Sequence, residues 1–135
     1  MSVKILLVED SKFLRMANEK VLIRAGYSVI SVADGEQALA AAREYIPSLI
    51  LLDMMLPKLD GVAVLRKLKR DPLTAHIPVV VVTGLGQRNE PRLLKEGAKA
   101  YFIKSDALFE DQGAALVRLA ATILAESKPV QAPSV

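Results

Sequence analysis

Five residues whose side chains could do chemistry come within two residues of the end of a short apolar run. The runs are KILLV, LILL, VVVV and AYFI, at four separate places in the chain. The residues are Glu9, Asp10, Asp53, Thr83 and Lys104. Carboxylates bind divalent cations, whereas a hydroxyl and an ammonium group suit a phosphoryl group. The combination therefore points to metal-assisted phosphate chemistry, provided that the fold brings these residues together.

The three acids favour one kind of metal. At an effective dielectric near 20, two carboxylates ~4 Å apart repel by about 4 kcal/mol, so a close trio would take up a proton or bind a cation. The chain has no cysteine, and its one histidine is remote from these acids in the predicted fold. An all-oxygen set of ligands favours Mg²⁺ over zinc or copper, and Mn²⁺ could replace it. We predict a Mg²⁺ site formed by Glu9, Asp10 and Asp53.

Asp53 has a further possible role, because a carboxylate can attack phosphorus and form an aspartyl phosphate. Lys104 would supply positive charge and Thr83 a hydroxyl for the transferred group. Each residue also has an ordinary interpretation as a helix cap, a β-branched strand residue or a solvated lysine. Their occurrence at four strand ends together favours the site.

Strands and helices alternate five times along the chain. The predicted strands are Lys4–Val8, Ser28–Val32, Leu49–Leu52, Val79–Val82 and Ala100–Ile103. The predicted helices are Lys12–Ala25, Glu36–Tyr45, Val62–Arg70, Pro91–Lys95 and a long one that ends near Ala125. This alternation predicts an α/β domain with a doubly wound, five-stranded parallel sheet in the order 2-1-3-4-5, with helices on both faces. That order makes strands one and three neighbours, so Asp10 and Asp53 should approach each other.

Capping residues support these boundaries. Ser11 and Asp60 are suited to cap the first and third helices, and Gly26 and Gly97 to end the first and fourth. Asp34-Gly35 could form a hairpin turn, but an alanine-rich helical stretch follows it, so we reject the hairpin.

Composition indicates one globular domain. The chain has 135 residues, of which 52% are hydrophobic and 24% charged. We assign residues 1–125 to the domain and 126–135 to a flexible tail or the start of a linker. The absence of cysteine excludes disulfides, thiolate zinc sites and cysteine nucleophiles. The first ten residues are too short and too acidic for a signal peptide or membrane span, so we expect a cytoplasmic protein without membrane contact.

The net charge of +3 is small for a nucleic-acid-binding protein. The densest basic stretch is Arg66, Lys67, Lys69 and Arg70, at the end of a predicted helix, where cations suit the helix dipole. Only 4% of the residues are aromatic, and no platform for stacking bases is evident. We interpret the stretch as a solvated helix end and expect no direct contact with nucleic acid.

Four motifs resemble the receiver domain of bacterial two-component response regulators, and the chain is similar to the single-domain chemotaxis type. They are ILLVEDS, LLDMMLPKLDG, VVVVTG and EGAKAYFIK, and the resemblance extends from Lys4 to about Leu124. The resemblance implies the flavodoxin-like fold and a switch that accepts phosphate on Asp53 from a sensor histidine kinase or phosphotransfer protein.

The resemblance also implies further roles. The backbone carbonyl of Met55 would join the metal ligands, and Lys104 would pair with the phosphoryl group. Thr83 and Tyr101 would move with it and repack the face formed by the fourth helix, the fifth strand and the fifth helix. That face would contact a downstream protein, a fused output domain or a second copy in a dimer. Self-dephosphorylation would be slow, so we expect a signalling switch rather than a turnover enzyme.

Several alternatives remain open from the sequence. Tyr101 could simply be a core aromatic of its strand. Ser105 stands where the family usually has a proline, so the path of the following loop is open. This departure makes an interaction module that works without phosphate an alternative.

A phosphatase is disfavoured because Met55 occupies the place of its usual second acid. A flavin carrier is disfavoured because Glu9 and Asp10 would repel a cofactor phosphate. His76 falls at the opposite edge from the acids and should be an ordinary loop residue.

Overall fold

Five parallel strands form the centre of the fold. In the computed structural model, which describes residues 3–54, 56, 59–83, 90–103 and 109–127, they lie in the order β2-β1-β3-β4-β5. The strands are β1 (Lys4–Val8), β2 (Ser28–Val32), β3 (Leu49–Asp53), β4 (Val79–Thr83) and β5 (Ala100–Ile103). Continuous apolar sequence suits strands that are covered on both faces, and all five residues of β3 are buried. The predicted sheet and its order are confirmed.

Helices cover both faces of the sheet. They are α1 (Lys12–Arg24), α2 (Gly35–Tyr45), α3 (Gly61–Arg70), α4 (Glu90–Lys95) and α5 (Phe109–Ser127). One core cluster includes buried residues of α2, α3 and α4, such as Ala38, Leu65 and Leu93. The other includes Leu22 of α1 and Leu116 of α5. No helix within the described ranges has both the length and the apolar character needed to span a membrane.

The predicted caps Ser11 and Asp60 are present, and Asp34, which was not predicted as a cap, caps the start of α2. The side chains of Ser11, Asp34 and Asp60 accept hydrogen bonds from the backbone N–H groups of Leu14, Gln37 and Ala63. Gly26 and Gly97 have φ angles of 101° and 111°, a conformation that glycine adopts without steric cost. Because Asp34 caps α2, the rejection of a hairpin at this point is confirmed.

Seven element boundaries differ by one or two residues from the sequence prediction. α2, α3 and α4 each begin one residue earlier, at Gly35, Gly61 and Glu90. β3 and β4 each continue one residue further, to Asp53 and Thr83, because Asp53 pairs with Val82 of β4 and Thr83 pairs with Ile103 of β5. α1 ends one residue earlier, at Arg24. α5 continues to Ser127, two residues into the segment predicted as a tail, and residues 128–135 lie outside the described part of the chain.

Candidate functional site

The three predicted acids meet at the carboxyl edge of the sheet. Glu9 and Asp10 follow β1, and Asp53 is the last residue of β3. β1 and β3 are paired up to Val8 and Leu52, so their carboxyl ends lie side by side. One carboxylate oxygen from each of the three acids lies within 4.8 Å of the other two. The expected approach of Asp10 to Asp53 is therefore observed.

Burial differs among the acids. Glu9 and Asp53 are each only 3% exposed, whereas Asp10 is exposed. Two buried carboxylates beside an exposed one form a site that has protein on one side and solvent on the other. At an effective dielectric near 20, ionised oxygens at this separation repel by about 3 kcal/mol, which a divalent cation would offset. The all-oxygen set and its open side fit a hard ion that keeps some of its water ligands.

Backbone contacts hold Glu9 in place at the turn between β1 and α1. The N–H of Glu9 donates to the carbonyl oxygen of Val32, at 3.1 Å. The N–H of Ser11 donates to Oε2 of Glu9, at 3.2 Å. Arg15, on the first turns of α1, donates from Nη1 to the carbonyl oxygen of Glu9, at 2.8 Å, and to that of Asp10, at 3.4 Å. Arg15 could not be recognised from the sequence, because nothing in the spacing of one arginine indicates that it contacts the preceding turn.

A close backbone approach fixes the chain after Asp53. The N–H of Met54 donates to the carbonyl oxygen of Val82, and the N–H of Gly61 donates to that of Met54, each at 3.0 Å. A Cβ atom on Gly61 would lie 2.7 Å from Cα of Met54 and 2.8 Å from the carbonyl oxygen of Asp53. These neighbours are backbone atoms that cannot rotate away. Gly61 thus lets the start of α3 pack directly against the strand end that carries Asp53.

The remaining predicted site residues are described only in part. Thr83 ends β4, which pairs with β3, but its side chain lies outside the described part of the structure. Met55 and Lys104 are also outside the described residues, as is the loop that contains Ser105. Tyr101 is described and is 38% exposed. The interpretation of Tyr101 as a core aromatic is therefore wrong, because its position on β5 faces outward.

Two further predictions can be compared with the structure. His76 lies in the loop before β4, at the amino ends of the strands, and thus at the opposite edge from the acids, as predicted. The interpretation of Arg66, Lys67, Lys69 and Arg70 as a solvated helix end is wrong for the half-buried Lys69, whereas Arg66 remains 39% exposed although it is paired. Arg66 forms an ion pair with Glu96, and the ammonium group of Lys69 donates to the carbonyl oxygens of Ala75 and Ile77.

The chain is similar in sequence to response regulators. The family model for the response regulator receiver domain matches residues 5–110. The response regulator PleD of Caulobacter vibrioides is 43% identical over 105 residues, which cover 77% of this chain and 23% of PleD. The chain thus spans about a quarter of the length of this relative.

Solved structures with the same fold include two from response regulators. The Mn²⁺-bound form of response regulator Rcp1 has a TM-score of 0.79 and 33% identity, over 90% of this chain and 94% of that one. The phosphorylated cyanobacterial phytochrome response regulator RcpA has a TM-score of 0.82 and 32% identity, over 93% of this chain and 96% of that one. One of these two proteins of the same fold thus binds Mn²⁺, and the other is phosphorylated.

Proposed function

Because the chain belongs to the response regulator receiver domain family, which acts in two-component signalling, we propose that it accepts a phosphoryl group on Asp53 in a Mg²⁺-dependent reaction. The observation that carries this proposal is the cluster of Glu9, Asp10 and Asp53 at the carboxyl edge of the sheet. The donor would be a phosphohistidine of a sensor histidine kinase or of a phosphotransfer protein, since the chain's own histidine is at the other edge.

The chemistry follows from the positions of the acids. A carboxylate oxygen of Asp53 attacks phosphorus, a P–O bond forms, and the P–N bond to the donor imidazole breaks with its electron pair remaining on nitrogen. Glu9 and Asp10 would hold Mg²⁺ together with Asp53 and the carbonyl oxygen of Met55, and Mn²⁺ could substitute. The bound ion would supply positive charge that stabilises the oxygens of the transferring group.

The response to phosphorylation would involve Thr83 at the end of β4, Tyr101 of β5, and Lys104, the next residue in the sequence after β5. Lys104 would pair with the phosphoryl group, and Thr83 and Tyr101 would move with it. Support for an output surface comes from three exposed apolar residues of α4 and β5, namely Leu94 at 47%, Tyr101 at 38% and Ile103 at 42% exposure. A downstream protein, a fused output domain or a second copy would bind the face formed by α4, β5 and α5.

We further propose that the chain acts in the cytoplasm as a phosphoacceptor with slow self-dephosphorylation, not as a turnover enzyme. It would transmit information by shifting the population between two conformations.

Incubation with Mg²⁺ and a small phosphodonor tests this proposal. We expect stable labelling that is lost in Asp53→Ala and retained in Asp71→Ala, a matched aspartate variant outside the cluster. Continuous release of phosphate would instead indicate a phosphatase. A wild-type chain that takes no label would indicate the alternative, an interaction module of receiver fold that works without phosphorylation.

A further inference from the structure

Helix α4 is too short to be stable by itself. It has six residues, and isolated helices of this length are not formed in water, so packing must hold it in place. Leu93 is fully buried in the core beneath it, whereas Arg92, Leu94 and Lys95 are exposed. The position of α4 therefore depends on a small number of contacts.

One such contact joins the end of α4 to α3. Nε of Arg66 donates to Oε2 of Glu96, and Nη2 of Arg66 donates to Oε1, each at 2.9 Å. This is a two-pronged arginine–carboxylate pair, the geometry in which such pairs are strongest. The side chains of Arg66 and Glu96 are 39% and 25% exposed, so water weakens the interaction but does not surround it.

A second contact lies at the next residue. Gly97 has a φ of 111°, and a Cβ atom there would be 2.8 Å from Cγ of Lys69. Nζ of Lys69 reaches on to the carbonyl oxygens of Ala75, at 3.1 Å, and Ile77, at 2.7 Å. Burial lowers the pKa of the Lys69 ammonium group, and the two hydrogen bonds offset part of its lost hydration. The Lys69 side chain thus lies directly against the turn that ends α4.

We infer that these contacts form a latch, made of Arg66 and Lys69 of α3 with Glu96 and Gly97, that holds α4 in its resting position and opposes the change that follows phosphorylation. The inference rests on the proposed function. The last residue of β4, Thr83, shares the sheet edge with Asp53, and residues 84–89 connect it to α4. We expect a change at the end of β4 to be accompanied by a change in the position of α4, which the latch opposes from α3.

A latch of this kind regulates the switch only if it is weaker in the switched conformation, because a contact that is equal in both conformations shifts nothing. We infer that the Arg66–Glu96 pair is weaker in the switched conformation. Breaking the latch should then favour that conformation. Arg66→Gln and Glu96→Gln should each bind beryllofluoride, a mimic of the phosphoryl group, up to about fivefold more tightly in the presence of Mg²⁺. The double variant should bind no more tightly than either single one, since both remove the same pair.

A matched control is available in a second ion pair, between α2 and the residue that follows α3. Nε of Arg43 lies 3.0 Å from Oδ2 of Asp71, but this pair joins α2 to the residue that caps the end of α3 and does not involve α4. Calorimetric titration should give Arg43→Gln the same beryllofluoride affinity as the wild type. Wild-type affinity in Arg66→Gln and Glu96→Gln would overturn the inference.

Hydrogen–deuterium exchange separates failure of the latch from failure of the proposed function. Without any phosphodonor, amides in residues 90–97 should exchange faster in Arg66→Gln than in the wild type or Arg43→Gln. Unchanged exchange would show that the pair does not hold α4, whatever the ligand binding. If exchange rises as expected but the wild type binds no beryllofluoride with Mg²⁺, the proposed function is overturned, and the regulatory role of the latch with it.

Discussion

Ile46 has a backbone conformation that its residue type disfavours. It caps the end of α2 with a φ of 43°, and its N–H donates to the carbonyl oxygen of Ala42 at 3.0 Å. Among the non-glycine residues of the described ranges it alone has a positive φ. A Cβ atom in this region costs about 1–2 kcal/mol, and β-branching adds to the crowding. The hydrogen bond at the helix end is thus obtained against local strain.

We expect Ile46→Gly to be more stable than Ile46→Ala by about 1 kcal/mol, because both remove the same apolar side chain and only alanine keeps the strained Cβ. Urea unfolding of the two variants measures this difference. The opposite order should hold at Ala25, the cap of α1, whose φ is −78°. There Ala25→Gly should be less stable than the wild type. If glycine were more stable than alanine at both positions, strain at Ile46 would not be the cause.

The acids of the site could be predicted from their positions after apolar strands, whereas the residues that hold them in place could not. Glu9, Asp10 and Asp53 follow apolar strands, and parallel strands place their carboxyl ends at one edge. Arg15 and Gly61 act through backbone contacts to those strand ends, and neither residue type has a spacing that reveals such a contact. The sequence therefore predicts which acids form the site, whereas the contacts that orient these acids are evident only in the folded backbone.

At the scale of elements, the junction between β3 and α3 sets the position of Asp53. The Gly61→Ala variant would place a methyl group within 3 Å of two backbone atoms of Asp53 and Met54. We expect this clash to destabilise the domain by about 2 kcal/mol and to weaken Mg²⁺ binding at least several-fold, because the strand end must shift. Thermal unfolding and a metal titration report the two effects.

The Gly26→Ala variant serves as the control for that experiment. Gly26 has a positive φ but no atom within 4 Å of an added Cβ, so alanine there costs stability through strain alone. Its Mg²⁺ affinity should equal that of the wild type. A similar loss of metal affinity in both variants would indicate that general destabilisation, not the position of Asp53, is the cause.

Most helices and strands were predictable because hydrophobic pattern and capping residues agree. The remaining differences arise from contacts between distant parts of the chain. Pairing with Val82 extends β3 to Asp53. Arg66 and Glu96 are 30 residues apart, so their ion pair cannot be inferred from local spacing. The same long-range contacts turn a basic stretch that appeared solvated into part of the link between α3 and α4.

At the scale of the whole molecule, metal binding should be linked to stability. A ligand that binds only the folded chain stabilises it by about 2.7 kcal/mol at a hundred times its dissociation constant. We therefore expect the unfolding temperature to rise with Mg²⁺ concentration in the wild type. The rise should be much smaller in Glu9→Gln, measured by calorimetry, while an equal rise in both proteins would place the ion elsewhere.

Protonation of Glu96 at low pH should lower the free energy of unfolding. The hydrogen bond from Arg66, followed by the charges of Arg66, Arg92 and Arg70, lowers the pKa of Glu96 from its ordinary value of 4.5. A carboxyl group with a lowered pKa adds stability above that ordinary value and loses it as the pH falls through the folded-state value. Unfolding measured between pH 7 and pH 3 should therefore show a loss below about pH 4.5 that is smaller in Glu96→Gln. An identical pH profile in both proteins would contradict this assignment.

Locating the phosphoryl group tests the proposed phosphoacceptor site most directly. The protein is treated with a small phosphodonor, reduced with borohydride, which converts an aspartyl phosphate to homoserine, and mapped by peptide mass spectrometry. We expect homoserine at position 53 alone, formed with Mg²⁺ and not after chelation of divalent ions. Modification at another acid, or equal modification without a divalent ion, would contradict the central claim that the three acids form a metal-assisted phosphoacceptor site.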